Sequence, residues 1–113
     1  MIVKEAVAVE AVPVEMEGAN GVTKRVLISE EDDAPNFILR QFEIEPGGNT
    51  PYHSHDFEHE VYVLSGNGLL KTNDGDIQLK DGNVVFVPGN EFHQFVNTGD
   101  KIFRFLCIIP KTD

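Results

Sequence analysis

Hydrophobic residues along this chain come in short bursts that alternate with polar ones, as in "HEVYVL" (59–64) and "FRFLCII" (103–109). Alternation with a period of two places successive side chains on opposite faces of a strand, one face buried and one wetted. No stretch sustains a 3.6-residue apolar repeat between helix caps. Strands are therefore expected near residues 24–29, 37–44, 59–64, 68–73, 76–80, 84–87, 92–96 and 102–109. Between them lie "EPGGN", "SGNG", "NDGD", "KDGN" and "NTGD", rich in the residues that accept turn conformations. Many short strands at such spacing imply an all-β sandwich or barrel. The pair Asp74-Gly75 between two strand-like runs predicts a hairpin.

The N-terminal "KEAVAVEAVPVE" gives a mixed signal. Ala and Glu favour helix, whereas the repeated Val and Pro13 favour an extended edge strand, and the strand is the expectation here. "SEEDDAP" (29–35) gathers four acids ahead of a proline and reads as a solvated loop rather than a cation site. No linker or internal repeat divides the chain, so residues 1–113 are expected to form one domain. Residues 1–23 would be an N-terminal strand or arm, and 24–113 the barrel core.

At 113 residues the chain has enough material for one hydrophobic core. Nineteen acidic residues against nine basic ones give a net charge of −10, which repels polyanions and argues against nucleic acid as a partner. No apolar run approaches the roughly 18–20 residues that span a bilayer. The opening "MIVKEAVAVE" has acids where a signal peptide would be basic and then apolar, so no membrane partner and a cytoplasmic location are expected. The single Cys107 sits in an apolar run, where a reduced, buried thiol is the ordinary state.

Candidate chemistry is concentrated in "HSHDFEHE" (53–60), which holds three of the four histidines, and in "EFHQF", which holds His93. His53 and His55, one residue apart, would project from the same face of an extended segment. The intervening "DFE" lets the chain turn, so that His59 on the next strand comes back towards them. A barrel would bring His93 across to complete the set. Imidazole suits Mn, Fe, Co, Ni, Cu and Zn, and four neutral nitrogens would leave the ion's full double charge available to polarise a ligand.

At these residues the chain resembles the cupin superfamily in both of its motifs. Gly47, "GNTPY", His53-Ser54-His55 and Gly66 follow the first; Gly82, "NVVFV", Pro88, Gly89, "EF", His93, "QFV" and Asn97 follow the second. Asn90 replaces a glycine of the second motif, and Asn is the side-chain-bearing residue that best accepts positive φ. Where the family usually has a ligand glutamate, this chain has His59 followed by Glu60. The six-residue gap to Gly66 and strand parity both favour His59 over Glu60 as the ligand. The resemblance implies a double-stranded β-helix, or jelly-roll barrel. It is nearest to small tetrahistidine, manganese-binding cupins that form dimers, which implies Mn with Fe, Ni, Cu or Zn as alternatives, the ligands His53, His55, His59 and His93, and a homodimer. The N-terminal strand would then be free to pair with a neighbour's sheet edge.

Shared fold does not choose a reaction. The leading expectation is a metal-dependent oxidoreductase of the dioxygenase type, acting on a small, partly apolar molecule inside the barrel. Phe103, Phe105, Cys107 and Ile109 share one face of the last strand and would either line that pocket or form ordinary core. A non-catalytic metal- or metabolite-sensing cupin is the alternative, since no evident nucleophile or general acid accompanies the ligands. A sugar or keto-acid isomerase ranks lowest, because it would need a base and anion-binding cations such as Arg40 or Arg104 near the pocket. Glu60 is a candidate acceptor behind an imidazole, an alternate ligand, or a surface acid.

Overall fold

The computed structural model describes residues 1–111. Nine strands follow in chain order: β1 (Val12–Pro13), β2 (Asn20–Ile28), β3 (Phe37–Asn49), β4 (His59–Ser65), β5 (Gly68–Thr72), β6 (Gly75–Leu79), β7 (Val84–Val87), β8 (His93–Asn97) and β9 (Phe103–Pro110). They pair in the order β6-β5-β8-β3-β9-β4-β7, with β1 on β2 and β2 on β3, and every pairing is antiparallel. The result is a curled all-β sheet of the jelly-roll barrel kind, and the eight strands expected between residue 24 and the C-terminus are all present.

β3 joins the two halves of the barrel. Its first part lies between β2 and β9, and its end, Asn49, pairs with Val96 of β8. "EPGGN" is the corner between these parts. It lies within β3 rather than between strands: the β2 partner shifts from Val22 opposite Ile44 to Asn20 opposite Asn49, so β3 bulges outward there. Gly48 allows the close approach, since a Cβ on it would lie 2.5 Å from the Asn20 carbonyl oxygen.

Alternation determines what is buried. Along β4, His59, Val61 and Val63 are buried while Glu60, Tyr62 and Leu64 are exposed. Along β9, Phe103, Phe105, Cys107 and Ile109 are buried. These residues meet Val22, Ile44, Leu70, Leu79 and Phe95 in one core. Completely burying a Phe, Leu or Val contributes roughly 1.5–3 kcal/mol each.

The N-terminus differs from the expected strand. A 3-10 turn covers Ala6–Ala8, and only Val12–Pro13 is extended. The arm is laid along its own barrel by side chains: Lys4 donates to the Leu27 carbonyl at 2.8 Å, and Arg25 donates to the carbonyls of Val7 and Val9. The Arg25 bonds satisfy arm carbonyls without a sheet partner, which is why the Val-rich pattern does not become a long strand. The β5–β6 hairpin is present, with its turn one residue earlier than expected. Thr72 pairs with Gly75, so Asn73 and Asp74 form the loop and Gly75 takes the positive φ of 120°. "SEEDDAP" folds as a capped 3-10 turn: the Ser29 side chain accepts from the Glu31 N–H, and Asp32 accepts from the Ser29 N–H. Among the described residues, no helix is long and apolar enough to cross a membrane.

Candidate metal centre

Two elements carry the histidines. His59 opens β4 and His93 opens β8, each buried on the inner face of its strand. His53 and His55 lie on the connection between β3 and β4, which is not a strand. A single bridge, His53 opposite His93, replaces it, with N–H to carbonyl bonds of 3.2 and 3.0 Å in the two directions. Asn90 fixes the next point by donating from its backbone to the His55 carbonyl at 2.6 Å. To do so it adopts a φ of 69°, the left-handed conformation anticipated for this Asn. Gly89 lets the two motifs touch, because a Cβ there would lie 2.7 Å from the Asp56 carbonyl oxygen.

The ligand-capable nitrogens of His53, His55 and His93 lie within 4.8 Å of one another. His59 stands beside this trio: its ring centroid is 4.5 Å from that of His55 and 4.7 Å from that of His93. The protonation pattern follows from the outer partners. Nδ1 of His55 meets the Phe57 carbonyl at 2.8 Å, and Nδ1 of His93 meets the Glu91 carbonyl at 2.9 Å. Carbonyls only accept, so both Nδ1 atoms carry hydrogen, and in the neutral rings Nε2 is a bare lone pair. His93 Nε2 is buried with no hydrogen-bond partner. His59 Nε2 faces His55 Nε2 at 2.8 Å, while its Nδ1 lies 3.2 Å from Cys107 Sγ.

Inward lone pairs, one of them orphaned, are the donor set a divalent ion requires, and buried polar atoms are otherwise rarely left unpaired. The histidines thus fit a metal. Burial is the main force on the titration of three of the rings. It lowers the pKa of His53, His59 and His93, assisted by neighbouring positive charge, and carries His59 down to about 3. Neutral imidazole, the ligating form, is therefore favoured there.

The cluster lines a cavity of about 360 Å³, within the usual range for small-molecule sites. Its apolar wall includes Phe42, Phe57, Phe95 and Phe105, with Val14 and Met16 contributed by the N-terminal segment. Of the four residues singled out on β9, Phe105 and Cys107 line the cavity. Phe103 and Ile109 are core instead. They lie towards opposite ends of β9, paired with Ile44 and Ile38, beyond the mid-strand positions that face the histidines. Glu60 is exposed on the outer face of β4. The acceptors found behind the rings are backbone carbonyls and a thiol, which a search for carboxylates in the sequence passes over.

The family pattern of the cupin domain matches residues 40–109. The chain belongs to the cupin family. This cupin superimposes on the polyketide cyclase RemF from Streptomyces resistomycificus with a TM-score of 0.92 and 38% identity, covering 97% of this chain and 79% of that one. It is 33% identical over 73 residues to an oxalate-binding protein from Thermotoga maritima, covering 64% of this chain and 60% of that protein. It is 48% identical over 65 residues to a glucose-6-phosphate isomerase from Pyrococcus abyssi, covering 52% of this chain and 34% of that enzyme. This cupin therefore spans less than two thirds of the length of both curated relatives.

Proposed function

We propose that this cupin is a metal-dependent enzyme acting on a small, partly apolar carbonyl compound of the β-keto class, held in the barrel over an ion bound by His53, His55, His59 and His93. The observation that carries this reading is the convergence of four imidazoles on an aromatic-walled cavity with no carboxylate in its lining. Once bound, a divalent ion polarises a carbonyl oxygen and acidifies the carbon beside it. The chain supplies the rest. Backbone carbonyls of Phe57 and Glu91 hold His55 and His93 in one tautomer, and Phe42 and Phe105 stack at 5.4 Å to shape an aromatic wall for the substrate's carbon chain. Manganese, suggested by the tetrahistidine resemblance, is the first ion to load.

Ring closure of a polycarbonyl substrate is the favoured reaction, supported by the likeness to a polyketide cyclase across 97% of the chain. A dioxygenase acting on the same substrates is the second reading, supported by the same aromatic cavity and by the absence of a carboxylate from its lining. Incubating the manganese-loaded chain with linear tri- and tetraketide acids, with product mass and dissolved oxygen followed together, tests both. Metal-dependent loss of water with oxygen unchanged is the expected result. Metal-dependent oxygen uptake would replace cyclisation by the dioxygenase reading, and no metal-dependent turnover across the panel would overturn both.

A further inference from the structure

The inner face of β3 runs Ile38, Arg40, Phe42, Ile44 by parity, so Arg40 places a permanent cation in an otherwise apolar series. Across the register it meets Val26 on β2 and Cys107 on β9. One of its terminal nitrogens donates to Cys107 Sγ at 3.1 Å, and its guanidinium lies 4.9 Å from the centroid of the Phe42 ring. Its Nε is buried and has no partner. None of the four ion pairs among the described residues involves Arg40. Lys24, paired with Phe42, is the other cation in the cavity lining, and it too lies outside those ion pairs. In a chain with nineteen acidic residues and nine basic ones, the charged lining residues are both cations.

A guanidinium offers five N–H groups in a planar fork matched to carboxylate and phosphate oxygens, and a thiol is a poor acceptor for it. A partly buried cation without a counter-ion is unfavourable, so the chain is poised to gain from an entering anion. Cys107 Sγ touches both Arg40, at 3.1 Å, and His59 Nδ1, at 3.2 Å. One sulfur atom therefore separates the anion seat from the histidine cluster, a spacing suited to a short ligand with an oxyanion at one end and a carbonyl at the other. Resting on the reading of this cavity as the ligand site, we infer that the ligand carries an anionic oxygen group, a carboxylate or a phosphate, which docks on Arg40 while its carbonyl end faces the histidines.

Calorimetric titration of the manganese-loaded chain with acetoacetate, its neutral methyl ester and acetyl phosphate tests this, repeated with Arg40→Met and Arg40→Lys and with metal content measured in each sample. At least one anion is expected to bind wild type tenfold or more tighter than the ester. That advantage should shrink at least tenfold in Arg40→Met at unchanged metal content, and only in part in Arg40→Lys. Preference for acetoacetate assigns a carboxylate ligand; preference for acetyl phosphate assigns a phosphate. Equal binding of ester and anions, no binding of any, or an advantage unchanged in Arg40→Met would overturn the inference. If Arg40→Met does not fold, an advantage in Arg40→Lys equal to that of wild type would overturn it equally. A wild-type chain that takes up no metal yet keeps the Arg40-dependent preference would sink the catalytic reading and leave this one standing.

Discussion

His59 and Glu60 are neighbours in sequence and opposites in environment. The pleat turns one into the barrel, 5% exposed, and the other out to solvent. Removing an inward ring should therefore act on the metal, and removing the outward acid should not. His93→Ala, which deletes the orphaned Nε2, is expected to lower bound metal per chain at least tenfold, whereas Glu60→Ala keeps it within error, as read by elemental analysis after dialysis. Metal loss in Glu60→Ala with retention in His59→Ala would transfer the ligand role from the imidazole to the carboxylate. Both motifs and the pleat were legible at this scale. The outer partners were not, because main-chain carbonyls carry no signature in a sequence. Arg40 was half legible: "FILRQFEI" puts a charge at an inward parity position, but only the fold shows that its Nε lacks a partner and that none of the ion pairs among the described residues includes it.

Six of the eight strands were read from alternation within one residue, because an antiparallel sheet with one buried face imposes a period of two on its sequence, whereas β2 begins four residues earlier and β3 runs five residues further than expected. The misses fall where a regular ladder does not fix the backbone. Arg25 and Lys4 hold the arm, and the "EPGGN" corner is absorbed into β3 as a bulge. The His53–His55 connection also lies outside a ladder, held by isolated backbone bonds, one bridge pair and the Asn90 N–H to the His55 carbonyl. Its weak point is Gly89. In Gly89→Ala the new Cβ would lie 2.7 Å from the Asp56 carbonyl oxygen, and neither backbone yields without moving a ligand loop. The expected outcome is about a tenfold loss of metal affinity together with roughly 1–3 kcal/mol of stability. Competition with a chelator and denaturant melts would measure the two effects separately.

For the whole molecule, the buried histidines couple folding to pH. A histidine whose folded pKa lies below its unfolded value holds fewer protons when folded, so its contribution to stability is complete above the unfolded pKa and is lost as pH falls. For His59 that window runs from 6.5 down to about 3, and His53 and His93 are shifted in the same direction. Metal-free protein should therefore melt at progressively lower temperature as pH drops from 7 towards 4, and a His59→Gln variant should show a shallower decline by differential scanning calorimetry. A decline equally steep in the variant would remove His59 from the account. The metal-free protein matters for another reason. His53 and His55 sit on a connection outside the strand ladder, and the core cluster from Val22 to Ile109 includes none of the histidines. The expected order of assembly is a barrel that closes on its own side chains and an ion that arrives later at a finished vessel. Metal supply would then govern how many molecules are active without governing how many survive. Far-ultraviolet circular dichroism spectra that coincide before and after metal loading would bear this out, and a strand signal that develops only on loading would refute it.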